Sequence, residues 1–465
     1  MTSQKCVTLM RNQKKLANPV YLNPYHHPFC SPYAVIIMEK KKLYLLLAGL
    51  FMFRLIYGLC AEFWFADELQ IYLIGLKSYT TGTWPFYGPD VVYTHTQIPG
   101  ALQGLLVALP FYLWKLPELP TLILNVLSFS SLCMLAWYIT RRVKGVPDWM
   151  VWILCMTTPW TLYYSTRVVN PSYVLVFSIP FFIAVLELLP IYTGKLIRPG
   201  LAYFIMGITT TFIMQLHMSW VLMVPYTLVA MAYTMRTANK KVILFYILGG
   251  LLGLLTLIPT WLHPDPMAGK VGENIVFNWS NFGNIVTILL RYLSFATYEI
   301  PYVLGDSHDK EVIFHSHYWM IPFIVFLLVI GFLQVGLLII GFFIKTQNEE
   351  WKKMRWLNIC SYGLLFCSFF FSIKGPSSHT FYILLPLPMI YSFYCYEWLI
   401  SKKAVALKVL RVVVYCGFFF HIGLAYYNFQ HKSIYKDRPK VTEALNKMDY
   451  RVLGERRSDQ LGYGY

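Results

Sequence analysis

About eleven apolar stretches, separated by short clusters of lysine and arginine, run from Leu43 to Tyr427. Each is near the ~20 residues that a helix needs to cross the hydrocarbon core of a bilayer. Inside a bilayer the backbone polar groups must be satisfied within helices or a closed barrel. Stretches of this length predict helices, and therefore an all-α, polytopic membrane protein. Composition agrees: charged residues make up 13% of the chain and hydrophobic ones 57%, against the ~25% charge of soluble domains. The formal net charge of +17 would suit a nucleic-acid partner. Here, though, the basic residues lie between apolar spans, as the positive-inside rule places them. No nucleic-acid-binding motif accompanies them, so no nucleic acid is expected.

Lys40, Lys41 and Lys42 precede the first span, Leu43–Cys60, and put its N-terminus in the cytoplasm. The segment Pro99 to Lys115 then decides the topology. It is short and broken by Pro110, so it is expected to lie flat on the outer surface. The spans Pro120–Thr140, Trp149–Tyr164, Tyr173–Pro190, Gly200–Leu216, Trp220–Tyr233, Val242–Leu262, Tyr318–Ile344, Trp356–Ile373, Phe381–Ile400 and Val412–Tyr427 then alternate. Their basic clusters all fall inside, with the N-terminus cytoplasmic and the C-terminus outside.

Residues 1–37 read as a disordered tail or an over-extended gene start. Residues 38–427 read as the transmembrane domain, with a first outer loop at 62–119 and a long outer loop at 263–317. Residues 428–465 read as a short outer tail in which PKVTEALNKM suggests one or two amphipathic turns. Ile285–Ala296 (IVTILLRYLSFA) predicts a second surface helix. The nine cysteines are scattered without metal-ligand spacing and read as small buried hydrophobes.

The first outer loop draws the chemistry. It carries Asp67-Glu68 in a chain where acid is scarce, and it is rich in Trp, Tyr, Pro and Gly, residues of membrane boundaries and shaped loops. With this topology one face collects Asp67, Glu68, His95, Arg167, Asn170, His217, Lys374 and His379. Cations suit an anionic lipid headgroup, and a carboxylate suits an acceptor hydroxyl that must lose its proton. Each residue has a plainer reading. Asp67 can cap the helix Glu68–Tyr79, Glu68 can orient a neighbour, and Arg167 can anchor the interface. Arg54, inside the first span, must face other helices, water or a lipid phosphate, or snorkel to the surface. His315-Ser316-His317 has a spacing a metal can use but lacks an acidic third ligand. Asn278-Trp279-Ser280 is a glycosylation sequon.

Several motifs occur in a telling order: Asp67-Glu68 after the first span, His95-Thr-Gln-Ile-Pro99-Gly100 opening a surface helix, and Arg141-Arg142 ending the second span. TTPWTLYYSTRVVNPS follows at the outer end of the third span, and then a late loop, KGPSSHTFYILLPLP. This resembles the polyprenyl-phosphate-sugar-dependent C-type (GT-C) glycosyltransferases, in the branch of the aminoarabinose transferases and protein O-mannosyltransferases. The resemblance spans roughly Leu43 to Ile400 and is strongest over Leu43–Pro190. It implies a multi-spanning enzyme with juxtamembrane helices in its first outer loop. Such an enzyme moves a sugar from a polyprenyl-phosphate donor to an acceptor hydroxyl, on lipid, glycan or protein, at the non-cytoplasmic face. The catalytic aspartate falls on Asp67, with Glu68 beside it. His95, Arg167, Asn170, Lys374, His379 and Tyr382 become substrate-binding positions. A second acidic position of the family is occupied here by Asn170. An amide is a poor base and a weak metal ligand, so a divalent metal is doubtful, and no metal residues and no certain cofactor are assigned.

Two other classes compete. A transporter or flippase of lipid-linked sugars would expect polar residues at mid-membrane and broken helices in matched halves. An O-antigen polymerase or ligase would expect a large late outer loop rich in arginine, whereas 263–317 holds only Arg291. The expected location is a bacterial inner membrane.

Overall fold

The computed structural model describes residues 39–61, 66–91, 96–100, 102–237, 239–262, 277–300, 303–305, 307–372, 375–376, 378–431 and 434–454. At 61, 66, 67, 90, 91, 96, 378 and 434–437 it describes the backbone alone. The expected tail at 1–37 lies outside the described residues.

The described chain is nearly all-α. Helices α1 (Lys40–Ala61) and α2 (Ala66–Thr81) are followed by strands β1 (Tyr87–Val91) and β2 (Thr96–Pro99) and by α3 (Leu102–Leu113). Then come α4 (Leu119–Arg142), α5 (Asp148–Thr157), α6 (Pro159–Ser165), α7 (Val174–Leu188) and α8 (Pro199–Met214). Helices α9 (Met218–Thr237) and α10 (Lys240–Leu262) follow, with α11 (Ile285–Ser294) and α12 (Ser307–Ser316) after them. The last are α13 (Tyr318–Gly341), α14 (Glu349–Phe369), α15 (Pro386–Lys402), α16 (Val405–His431) and α17 (Ile434–Lys447).

Among the described residues six helices, α1, α4, α9, α10, α13 and α16, are long and apolar enough to cross a membrane. The other expected spans depart from the simple count for local reasons. The third breaks at Thr158-Pro159 into α5 and α6, since Pro159 has no N–H to continue the ladder. The fourth and fifth, α7 and α8, have 15 and 16 residues. The charged sequence EEWKKMR opens α14, well before the expected Trp356. At the start of the tenth, Phe381 and Tyr382–Leu384 form irregular turns before α15.

The first loop contains an element that an all-α reading omits. Strands β1 and β2 pair antiparallel, with Asp90 opposite Gln97 and Val91 opposite Thr96. The Tyr, Val and Thr side chains there suit a pleated ribbon better than a helix. Helix α3 has 12 residues, roughly 18 Å at 1.5 Å per residue, too short to span. It packs on α2 where Gly75 and Gly104 let the backbones approach. A Cβ on Gly75 would lie 2.6 Å from Val107, and one on Gly104 would collide with Ile74. Its other edge leaves Leu109, Tyr112, Leu113 and Trp114 exposed.

Helices α8 and α10 are drawn together in the same manner. A Cβ on Gly207 would strike the Tyr246 carbonyl, and one on Gly249 would strike the Phe204 carbonyl. Small residues permit such contact between helices where lipid offers no hydrophobic drive. The tail forms α17, a single helix that buries Val441, Ala444 and Leu445. Its Arg438 ties the end of α1 to the end of the first loop, donating to the Leu59 carbonyl at 3.0 Å and pairing with Glu118 at 3.5 Å.

Basic residues between spans have structural partners as well. Arg142 pairs with Glu187, whose side chain is fully buried. Tyr138 donates to the same carboxylate at 2.7 Å and the Leu196 amide donates at 2.6 Å. With the Ile197 amide at 3.4 Å, the buried anion has a cation and three neutral donors, as its burial requires.

Candidate functional site

Helix α6 gathers Arg54, Arg167 and Tyr382 around it. The interruption before it leaves carbonyls of α5 without helical partners, and Arg54 of α1 fills them. Its Nη1 donates to the Met156 carbonyl at 2.7 Å, and its Nη2 donates to Ser165 Oγ at 2.8 Å. Ser128 donates to the Ser165 carbonyl at 2.7 Å, and Asn125 donates to the Thr166 carbonyl at 2.8 Å. Arg54 is fully buried. Of its open readings, the structure selects the one in which it faces other helices: Nη1 serves the Met156 carbonyl at the break and Nη2 the Ser165 hydroxyl, while Nε is buried without a hydrogen-bond partner among the described residues.

The loop after α6 carries Arg167. Its guanidinium carbon lies 4.1 Å from the centre of the Tyr163 ring, and the side chain is only 2% exposed. Glu68, also 2% exposed, stands within electrostatic reach. Burial pulls the Arg167 pKa down, but Tyr163 and Glu68 outweigh it, and the net effect raises the value above the usual arginine range. Gly58 makes this possible. The α1 backbone runs so close to Thr166 that any Cβ at Gly58 would overlap its carbonyl oxygen.

Helix α2 opens at Ala66. Asp67 and Glu68 therefore lie inside its first turn, and Asp67 is not at the cap position. Negative charge is favoured there by the helix dipole. Asp67 is placed by its backbone alone, and its side chain lies outside what is described. His95 and Lys374 fall among residues that are not described.

Asn170 is half-buried, with a buried Oδ1 that has no hydrogen-bond partner among the described residues. It precedes a cis peptide bond to Pro171. Tyr382 is fully buried. Its hydroxyl donates to the Trp160 carbonyl at 3.3 Å, and its ring lies 5.2 Å from that of Tyr164. His379, half-buried, meets the edge of His217 with ring centroids 5.9 Å apart. His217 Nδ1 accepts the Ser219 amide at 3.1 Å, so the neutral ring carries its proton on Nε2. Burial, with His379 beside it, pulls the His217 pKa down to about 3. The imidazole stays neutral at physiological pH.

The structure thus joins Glu68 to Arg167, His379 to His217, and Tyr382 to α6. It also reveals a residue that sequence reading passed over. Glu299 accepts from Trp160 Nε1 at 3.0 Å and pairs with Arg291 at 2.5 Å. The pattern of the chain gives little signal for this, because Trp160 and Glu299 are 139 positions apart. Among the described residues no three His, Cys, Asp or Glu side chains gather as a metal site would require.

No protein-family model, no curated protein and no solved structure matches this chain.

Proposed function

We propose that this protein is a membrane glycosyltransferase. It would move a sugar from a polyprenyl-phosphate donor to an acceptor hydroxyl at the non-cytoplasmic face of a bacterial inner membrane. What supports the reading is that Glu68 and Arg167, opposite in charge, are both buried and within electrostatic reach of each other. This ties the acidic first turn of α2 to the loop after α6, across a hundred residues of sequence. With Glu68 neutralising the buried cation, Asp67 is the carboxylate left to take the acceptor proton, a step worth typically 10²–10⁴-fold. The leaving lipid phosphate needs charge stabilisation more than protonation, and His95, Lys374 and His379 are the groups that would meet it. Arg167 and Asn170 line the same region, and Tyr382 supports it from within. Direct displacement by the acceptor would invert the anomeric centre. In this reading the five remaining expected spans also cross the bilayer, giving eleven spans in a GT-C-like arrangement with the N-terminus inside.

A second reading, transport of a lipid-linked sugar, draws on the interrupted helix at Thr158-Pro159 and the buried Arg54, both features of transporter sites. Against it, Arg54 Nη1 is already engaged by the Met156 carbonyl at that interruption and Nη2 by the Ser165 hydroxyl. The deciding experiment uses purified protein in nanodiscs with radiolabelled polyprenyl-phosphate sugars and candidate acceptors. Asp67→Asn should lose transfer by at least about 100-fold while still retaining donor. Transfer at the wild-type rate by that variant would remove Asp67 from the mechanism. Translocation of donor without transfer by the wild-type protein would select the transporter.

A further inference from the structure

The turn between α13 and α14 holds a cleft of about 450 Å3 lined by Phe343, Lys345, Thr346, Lys352, Arg355 and Trp356 among others. None of its lining residues is acidic. Arg355 is held in place: its Nη2 donates to the Ile344 carbonyl at 2.6 Å, and its guanidinium lies 5.5 Å from the Trp351 ring centre. Its Nε is buried without a hydrogen-bond partner among the described residues. Lys352 is shared with the exposed Glu349 at 2.7 Å. Lys345 is exposed and makes no ion pair among the described residues. The cleft therefore carries uncompensated positive charge. Its rim is apolar: Phe343 is 80% exposed and Trp356 is 64% exposed. It sits just past the end of α13, the most hydrophobic of the membrane-length helices, with a mean hydropathy of 3.0.

Cations beside exposed aromatic rings, at the end of an apolar helix, match a phosphate that is attached to acyl chains. We infer that this cleft binds the phosphate headgroup of an anionic membrane lipid. The cations take the phosphate, and Phe343 and Trp356 lie against the glycerol and upper acyl region. A free phosphate shares the first half of that chemistry and has no use for the second. This inference does not rest on the glycosyltransferase reading.

The test uses the full chain, with native mass spectrometry of protein released from nanodiscs of phosphatidylcholine and phosphatidylglycerol. The wild type should retain phosphatidylglycerol in preference to phosphatidylcholine. Lys345→Gln and Lys352→Gln should each weaken that retention about fivefold, the loss expected of one cation at a headgroup. Both lysines lie at the surface, and unchanged melting temperatures would show that the variants fold. Lys402→Gln/Lys403→Gln, in another basic cluster, should leave retention unchanged. Equal retention of both lipids, or equal losses in the control, would overturn the site. Displacement of the lipid by inorganic phosphate at matched concentration would overturn the lipid assignment.

Discussion

Gly58 on α1 and Thr166, just before the candidate cation, are in backbone contact so close that a methyl group cannot be placed between them. The contact sets the distance between the first helix and the loop that carries Arg167. Gly58→Ala must push α1 and that loop apart, and overpacking of this kind costs about 1–3 kcal/mol. The variant is expected to melt at lower temperature and to lose the proposed transfer activity. Gly49→Ala on the same helix, where a Cβ meets nothing within 4 Å, should match the wild type in both. Thermal scans in one detergent compare them directly.

Arg54 is expected to be a structural cation. Arg54→Leu leaves the Met156 carbonyl and Ser165 without their donors, at about 1–3 kcal/mol for each buried group. Arg54→Lys should restore only part of the loss, because one ammonium cannot reproduce the two arms of a guanidinium. Denaturation midpoints of the three proteins test this. A neutral Arg54→Leu would show that the buried charge is dispensable.

Glu68 and Arg167 should behave as a unit. Both are buried and opposite in charge, so removing either leaves the other less compensated, at up to about 3–5 kcal/mol when the two are in contact. Glu68→Gln and Arg167→Gln are each expected to be strongly destabilising, while the double variant recovers part of the loss. A double-mutant cycle on melting stability measures the coupling. Additive effects would mean that the two side chains do not sense each other.

The low pKa of His217 gives the fold an acid-sensitive element. The folded state holds the imidazole neutral down to about pH 3, whereas the unfolded chain takes a proton near pH 6.5. Stability is therefore intact above about pH 6.5. Below it, stability falls by up to about 1.4 kcal/mol per pH unit as the unfolded state binds the extra proton, until the folded pKa is reached. His217→Gln should flatten this acid limb between about pH 6 and 4. Melting temperatures over that range check it, and an unchanged limb would assign the acid response to other groups.

Several parts of this architecture were legible in the residues. The apolar runs that became α1, α4, α9, α10, α13 and α16 could be read because a bilayer imposes one length on every crossing. The shortness and Pro110 of the Pro99–Lys115 segment gave away α3. Other features were harder to see. The hairpin at Tyr87–Pro99 was hidden among turn residues. The break at Thr158-Pro159 was visible as a proline, but what would satisfy the freed carbonyls was not.

The sequence by itself determined that this is a helical membrane protein with an acidic pair in the loop after its first span, since hydropathy and proline act locally along the chain. Only the tertiary structure decided that Arg54 serves the α5–α6 break, that Arg167 answers Glu68, and that Glu299 reaches Trp160. Buried charges must find partners wherever packing brings them, and packing joins residues a hundred positions apart through contacts that no local pattern encodes.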